Sequence, residues 1–174
     1  MKILTKDEIL DVDINQLPML VLSYNYRDIV SSLINIRKKS HYNHLMWYYR
    51  PGWFASQGMF FSLDKAEKFL DHHRLKFWYN PDWTVFDKAE LFTNIKTDLE
   101  KPKFRTRYDW LAIIGQLVGL TGIQNPMTKI CSDYGGYLKR VDSTYNLKHP
   151  APSDVNEWLK GQSQYKIWGR YLKD

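Results

Sequence analysis

The sequence predicts an α+β fold in which antiparallel strands alternate with helices. Short apolar runs of strand length stand between turn-forming residues, as MLVLSYN does at 19–25 and LKFWYN at 75–80. Other segments repeat apolar residues at helical spacing, and RDIVSSLINIRKKS at 27–40 is one of them. Two aromatic-rich runs flank the pair Pro51-Gly52, which is typical of a hairpin turn between antiparallel strands.

The predicted hairpin joins a strand at 43–49, NHLMWYY, to a second strand at 53–61, WFASQGMFF. The next segment, SLDKAEKFL at 62–70, has an amphipathic helical pattern that begins at a possible N-cap, Ser62. We therefore expect a strand, a turn, a strand and a short helix in this order.

The second half of the chain is less uniform. Residues 81–107 are polar and mixed in pattern, and they receive no assignment. The strongly apolar YDWLAIIGQLVGL at 108–120 predicts a buried helix despite its two glycines. Near the end, two prolines precede Ser153, which is expected to cap a helix that runs through Trp158 and Leu159.

The chain has one cysteine, Cys131, in the segment KICSDYGGYLKRV. Tyr134, Leu138 and Val141 follow it at i, i+4 and i+7, which predicts a helix that begins near Cys131 and buries one stripe. A thiol in the first turn of a helix is favoured as thiolate by the helix dipole. The alternative is a buried cysteine that behaves as a small hydrophobic residue.

Length and composition predict a single domain over residues 1–174. The chain is 44% hydrophobic and 16% aromatic, which supplies enough apolar surface for one substantial core. No stretch has the roughly 18–20 consecutive apolar residues of a membrane span, and MKILTKDEILDVD does not match a secretory signal. We therefore expect a soluble protein, with the cytoplasm as the favoured location. A single cysteine excludes an internal disulfide and a four-thiolate zinc site.

A formal net charge of +6 suits contact with anionic material such as cell-wall polymer, lipid surfaces or nucleic acid. Nucleic-acid binding is a minor hypothesis, because the cationic residues are scattered and form no basic and aromatic module. No metal site is expected from HYNH, which lacks a third ligand nearby, and GQLVGLTG is not a phosphate-binding loop. The sequence predicts no cofactor.

A cysteine nucleophile needs a base, and His44 is the better candidate among the five histidines. His44 begins an apolar strand and shares one side of it with Met46 and Tyr48, whereas His41 stands three residues earlier in the preceding loop. The returning strand carries Gln57, whose side-chain carbonyl can accept an imidazole N–H and hold the ring. The other three histidines are expected to have surface roles: His72, His73 and His149.

These features resemble the circularly permuted papain-like cysteine hydrolases, the permuted branch of the NlpC-type group that includes the YiiX-like proteins. The resemblance extends over roughly residues 17–159, in the order in which the family has its motifs. The matching pieces are MLVLSYN (19–25), SHYNHLMWYY (40–49), SQGMFF (56–61), YDW (108–110), CSDYGGYL (131–138) and APSDV (151–155).

The resemblance implies a papain-like antiparallel sheet packed against helices, with Cys131 as nucleophile, His44 as base and Gln57 orienting the histidine. It also implies a cysteine peptidase or amidase that cleaves amide bonds in peptidoglycan peptides. Two features depart from the family pattern. The position of Gln57 is often acidic in relatives, and Asn43 precedes His44 where Ser or Thr is usual, so that Ser40-His41 offers a competing register.

Two alternatives keep the same fold. The first is a hydrolase or acyltransferase that acts on lipid acyl groups. The second is a non-catalytic binding or structural protein with a vestigial site, for example in a phage assembly, and the glutamine at position 57 motivates it.

Overall fold

A six-stranded antiparallel sheet forms the centre of the protein. The computed structural model describes residues 2–25, 42–103, 106, 131–148 and 150–172. The strands are β1 Met19–Asn25, β2 His44–Arg50, β3 Trp53–Gln57, β4 Phe61–Lys65, β5 His73–Tyr79 and β6 Lys166–Tyr171. Their order across the sheet is β4-β3-β2-β1-β5-β6, and every neighbouring pair is antiparallel. The predicted α+β class is confirmed in this form.

The hairpin between β2 and β3 turns at Pro51-Gly52, as the sequence predicts. Gly52 has a φ of +76°, a left-handed conformation that side chains with a Cβ rarely adopt. The pairing runs from Met46 opposite Ser56 to Arg50 opposite Trp53, with an irregularity between Tyr48 and Arg50. This register places the first residues of β2 beside the last residues of β3.

The segment after the hairpin differs from the prediction. Phe61 begins a separate strand rather than ending β3, and Ser62 lies within that strand opposite Ser56. The Ser62 hydroxyl donates to Oδ2 of Asp64, 3.2 Å away, and does not cap a helix. The helix begins only at Ala66, because pairing with β3 keeps the preceding five residues extended.

The helices in the described part of the chain are α1 Lys6–Leu10, α2 Ala66–Leu70, α3 Val85–Glu100, α4 Leu138–Val141 and α5 Pro152–Gly161, with 3₁₀-helices at Ile14–Gln16 and Cys131–Tyr137. Helix α3 lies in the segment that the sequence pattern did not assign, and Thr84 caps it by accepting the N–H of Asp87. Helix α5 begins one residue before Ser153, since Pro152 takes the first helical position and Asp154 accepts the N–H of Ala151. The helices predicted at 27–40 and 108–120 lie outside the described residues.

The two faces of the sheet are covered by different elements. We call them the Trp47 face and the Tyr48 face, after the two consecutive residues of β2 that point in opposite directions. We call the 3₁₀-helix at Cys131–Tyr137 together with α4, which follows it directly, the Cys131 helix. The Trp47 face packs against side chains from α3, the Cys131 helix and α5: Leu91, Ile95, Tyr134, Leu138, Val155 and Leu159. The Tyr48 face packs against side chains from α1 and α2: Ile9, Ala66, Phe69 and Leu70.

Within the residues that the structure describes, no helix combines the length and apolar composition needed to cross a membrane.

Candidate functional site

Cys131 is the first described residue of a helical segment that continues as α4. Its side chain is buried, with 3% of its surface exposed. The stripe that the sequence predicts is present, because Tyr134 and Leu138 are buried and Val141 is half-buried. The cationic residues Lys139 and Arg140 are exposed. The segment is therefore an amphipathic helix held to the core by the residues that follow the cysteine.

Two contacts place the Cys131 helix on the Trp47 face. The indole Nε1 of Trp47 donates to the backbone carbonyl of Tyr134 at 2.9 Å. The ring of Tyr134 stacks on Phe61, with centroids 3.9 Å apart and planes 7° apart. Because Trp47 belongs to β2 and Phe61 to β4, the helix lies over the half of the sheet that contains the hairpin.

Gln57 lies on the same face of the sheet as the Cys131 helix. Gln57 is two residues after Ala55 in β3, so that their side chains point to the same face. It is also paired directly with Phe61, and both Ala55 and Phe61 belong to the cluster on the Trp47 face. The side chain is 2% exposed, and its Nε2 donates to the carbonyl of Thr106 at 2.8 Å. Its Oε1 is buried and has no hydrogen-bond partner within the described part of the chain. An acceptor therefore remains open on the face that carries Cys131.

His44 lies on the opposite face. Its ring stacks on Phe69 of α2, with centroids 6.5 Å apart and planes 8° apart, and Phe69 belongs to the cluster on the Tyr48 face. The predicted alternation is confirmed, since Met46 and Tyr48 are on that side and Trp47 is on the other. The sheet thus stands between His44 and the Cys131 helix, and the structure does not bring the predicted base to the predicted nucleophile.

The remaining histidines are distributed as follows. His41 and His149 lie outside the described residues, and His72 is exposed in the turn after α2. His73, for which a surface role is expected, is half-buried on the Tyr48 face, where its Nδ1 lies 3.1 Å from the hydroxyl of Ser23. Of the three described histidines, His72 therefore lies in the turn after α2, and His44 and His73 lie on the face away from Cys131.

A cavity of about 470 Å³ with several charged lining residues lies on the Trp47 face, between β5, β6 and α5. Lys76 lines it from the middle of β5, with only 1% of its surface exposed. Its ammonium donates to Oδ1 of Asn156 at 2.9 Å and lies 4.2 Å from the centroid of the Trp78 ring. Burial, together with the positive charges of Arg170 and Lys160, lowers the pKa of Lys76 to about 8.

Lys76 is not among the site residues that the sequence predicts, although the sequence contains a signal for it. It stands in LKFWYN, an otherwise apolar strand, at a position that alternation places on the side of Trp78. A lysine in a buried strand is rare unless it is paired, and here the hydrogen-bonding partner is a neutral amide.

No protein-family model matches this sequence, and the search of curated proteins returned no match. In the described part of the chain, no group of three His, Cys, Asp or Glu side chains is placed to hold a metal ion.

Proposed function

We propose that this protein is a cysteine hydrolase in which Cys131 is the nucleophile and Gln57 is a positioning residue for the base. The open Oε1 of Gln57 on the face of the Cys131 helix carries the proposal. A buried acceptor left unpaired costs about 1–3 kcal/mol, and an imidazole N–H would satisfy it. The resemblance to permuted papain-like enzymes supports the same assignment and suggests amide bonds of peptidoglycan peptides as substrates.

The proposal assigns the base to His41 instead of His44. His44 has the sheet between it and the Cys131 helix, and His41 is the alternative histidine of the same SHYNH segment. The base takes the thiol proton, and the thiolate attacks the amide carbonyl to form a tetrahedral intermediate. The imidazolium then protonates the leaving amine, and water, deprotonated by the same imidazole, hydrolyses the thioester to release the acid and the thiol.

The test is hydrolysis of muropeptides by three variants compared with wild type. Cys131→Ala and His41→Ala should lose activity by about 10³-fold or more, as triad members do. His44→Ala is the matched control and should stay within a few-fold of wild type. Loss of activity in His44→Ala with retention in His41→Ala would overturn the assignment of the base, and an active Cys131→Ala would overturn the function itself.

Gln57 is tested by a readout that a purely structural role would not move. In the proposed site, Gln57→Glu replaces the orienting amide by a carboxylate, which would favour the charged form of the imidazole and should raise the pKa of the acidic limb of the rate profile. Gln57→Leu should lower kcat with little change in KM. An unchanged pH profile in Gln57→Glu would contradict the positioning role.

A second candidate is a non-catalytic binding protein of the same fold. The low exposure of Cys131 and the separation of His44 from its helix favour it. In that case iodoacetamide should alkylate Cys131 no faster than a free model thiol at neutral pH, and neither muropeptides nor lipid esters should be turned over. Faster alkylation together with turnover would exclude this candidate.

A further inference from the structure

The cavity beside Lys76 is lined by four cationic residues, and the proposed hydrolase chemistry does not use it. We propose that it binds a phosphate group, either as a phosphate monoester or as free phosphate. The inference does not rest on Cys131 being a nucleophile. It rests on the charges that line the cavity, on how they are paired, and on how the sheet register places them.

The cavity holds more positive charge than the nearby carboxylate balances. Four cationic residues line it with one carboxylate, Glu157, and Glu157 pairs with Lys160 at 2.8 Å. No carboxylate of the described residues is within ion-pair distance of the other three cations, which are Arg74, Lys76 and Arg170. A bound dianion would balance this excess.

The register of the sheet brings two of these cations together. Lys76 of β5 and Arg170 of β6 are direct partners in the antiparallel ladder, and both line the cavity. Side chains at such positions have Cβ atoms about 4.5–5.5 Å apart, and like charges placed there repel each other. An anion between them turns this repulsion into two favourable contacts.

Both side chains have donors left for a ligand. Lys76 uses one of its three N–H groups on Asn156, and Nε of Arg170 is buried with no hydrogen-bond partner among the described residues. The guanidinium fork matches the oxygen spacing of phosphate, and charge-assisted hydrogen bonds of this kind are among the strong ones. A buried lysine without a carboxylate partner is costly unless a ligand supplies the counter-charge.

The size and the position of the cavity suit a phosphorylated ligand. A cavity of about 470 Å³ falls within the range of small-molecule sites and exceeds what a phosphate alone would fill. Leu22 of β1 is paired with both Leu45 of β2 and Lys76 of β5, so that Lys76 is two strands, or about 10 Å, from β2. A phosphorylated ligand would therefore lie on the face that also carries Cys131.

The test is isothermal titration of the full chain at low salt with inorganic phosphate, glycerol 3-phosphate and acetate. Saturable binding of phosphate or of the monoester, and much weaker binding of acetate, is expected. Tighter binding of the monoester identifies an organic ligand, and equal binding identifies free phosphate; either result supports the site. Absence of saturable binding at millimolar concentrations, or acetate binding as tight as phosphate binding, would overturn the proposal.

Variants connect the binding to the cavity. Lys76→Met and Arg74→Gln should each weaken phosphate binding at least 10-fold, whereas Lys96→Met, which changes an exposed lysine of α3, should bind as wild type does. Lys76→Met removes a buried charge, so that its melting temperature in phosphate-free buffer should be no lower than that of wild type. Unweakened binding by Lys76→Met would refute the site.

Protonation provides a second readout. The groups that face Lys76 from neighbouring elements are Tyr24, Tyr42, Glu157, Lys160 and Arg170, with Arg74 on its own strand. The negative charge of a bound dianion outweighs the effect of the neighbouring cations and raises the pKa of Lys76 from about 8. Binding near pH 8.5 should therefore take up protons, and the measured heat should depend on the ionisation enthalpy of the buffer. This dependence on the buffer should be smaller in Lys76→Met and unchanged in Cys131→Ala. The result for the phosphate site is therefore independent of whether the hydrolase proposal holds.

Discussion

The hydroxyl of Tyr137 donates a hydrogen bond to Oδ2 of Asp98, 2.5 Å away, between the Cys131 helix and α3. Both residues are buried, and Lys101 forms an ion pair with the other carboxylate oxygen. Burial and the nearby carboxylate raise the pKa of Tyr137, which keeps the phenol neutral and able to donate. This contact helps to hold the Cys131 helix against the rest of the core.

Tyr137→Phe should therefore destabilise the protein by about 2 kcal/mol, since it leaves a buried carboxylate with one donor fewer. The free energy of unfolding in urea measures the effect. The matched control is Tyr145→Phe, because the Tyr145 hydroxyl is buried without a partner among the described residues and its removal should be neutral or stabilising. Equal destabilisation by the two substitutions would contradict this account of Tyr137.

Gly169→Ala should destabilise the protein by about 1–3 kcal/mol through overpacking. A Cβ at position 169 would lie 2.5 Å from Cγ of Leu4, a buried residue whose N–H donates to the carbonyl of Arg170. Gly136→Ala is the control, since a Cβ there meets nothing within 4 Å. Thermal unfolding of both variants measures the difference. Because Leu4→Ala removes the side-chain atoms that the new Cβ would meet, the double variant should lose less free energy of unfolding than the two single variants added together.

The buried Lys76 should make stability rise with pH in the alkaline range. Below pH 8 this lysine is charged in the folded and in the unfolded protein, and the folded state bears the cost of burying the charge. Between about 8 and 10.5 the folded protein releases the proton while the unfolded chain keeps it, so that the cost disappears. The gain should be on the order of 2 kcal/mol.

Comparison with Lys76→Met isolates this contribution, because other titrating groups cancel in the difference. The difference between the two free energies of unfolding, measured in phosphate-free buffer at pH 7 and at pH 10, should shift in favour of wild type. A difference that stays constant over this range would show that Lys76 has an ordinary pKa.

Much of the local structure could be predicted from the sequence, because it depends on residues close together in the chain. The strand β1, the hairpin at Pro51-Gly52 and the stripe of Tyr134 and Leu138 follow from periodicity and turn chemistry. Strand β4 was missed, since the helical pattern at 62–70 competes with pairing to β3, and that pairing is a contact between strands. Strand β6 was missed for the same reason, because its partner β5 lies about 90 residues earlier.

By itself, the sequence determined that His44 shares a side of β2 with Met46 and Tyr48, since a strand alternates with a period of two. Only the tertiary structure decided that the Cys131 helix covers the other side, because alternation says which residues go together but not which element packs on them. The same holds for Lys76 and Arg170, whose charges meet through the register of β5 and β6. Local periodicity is encoded in neighbouring residues, whereas the assignment of a face and the pairing of distant strands are settled when the whole core forms.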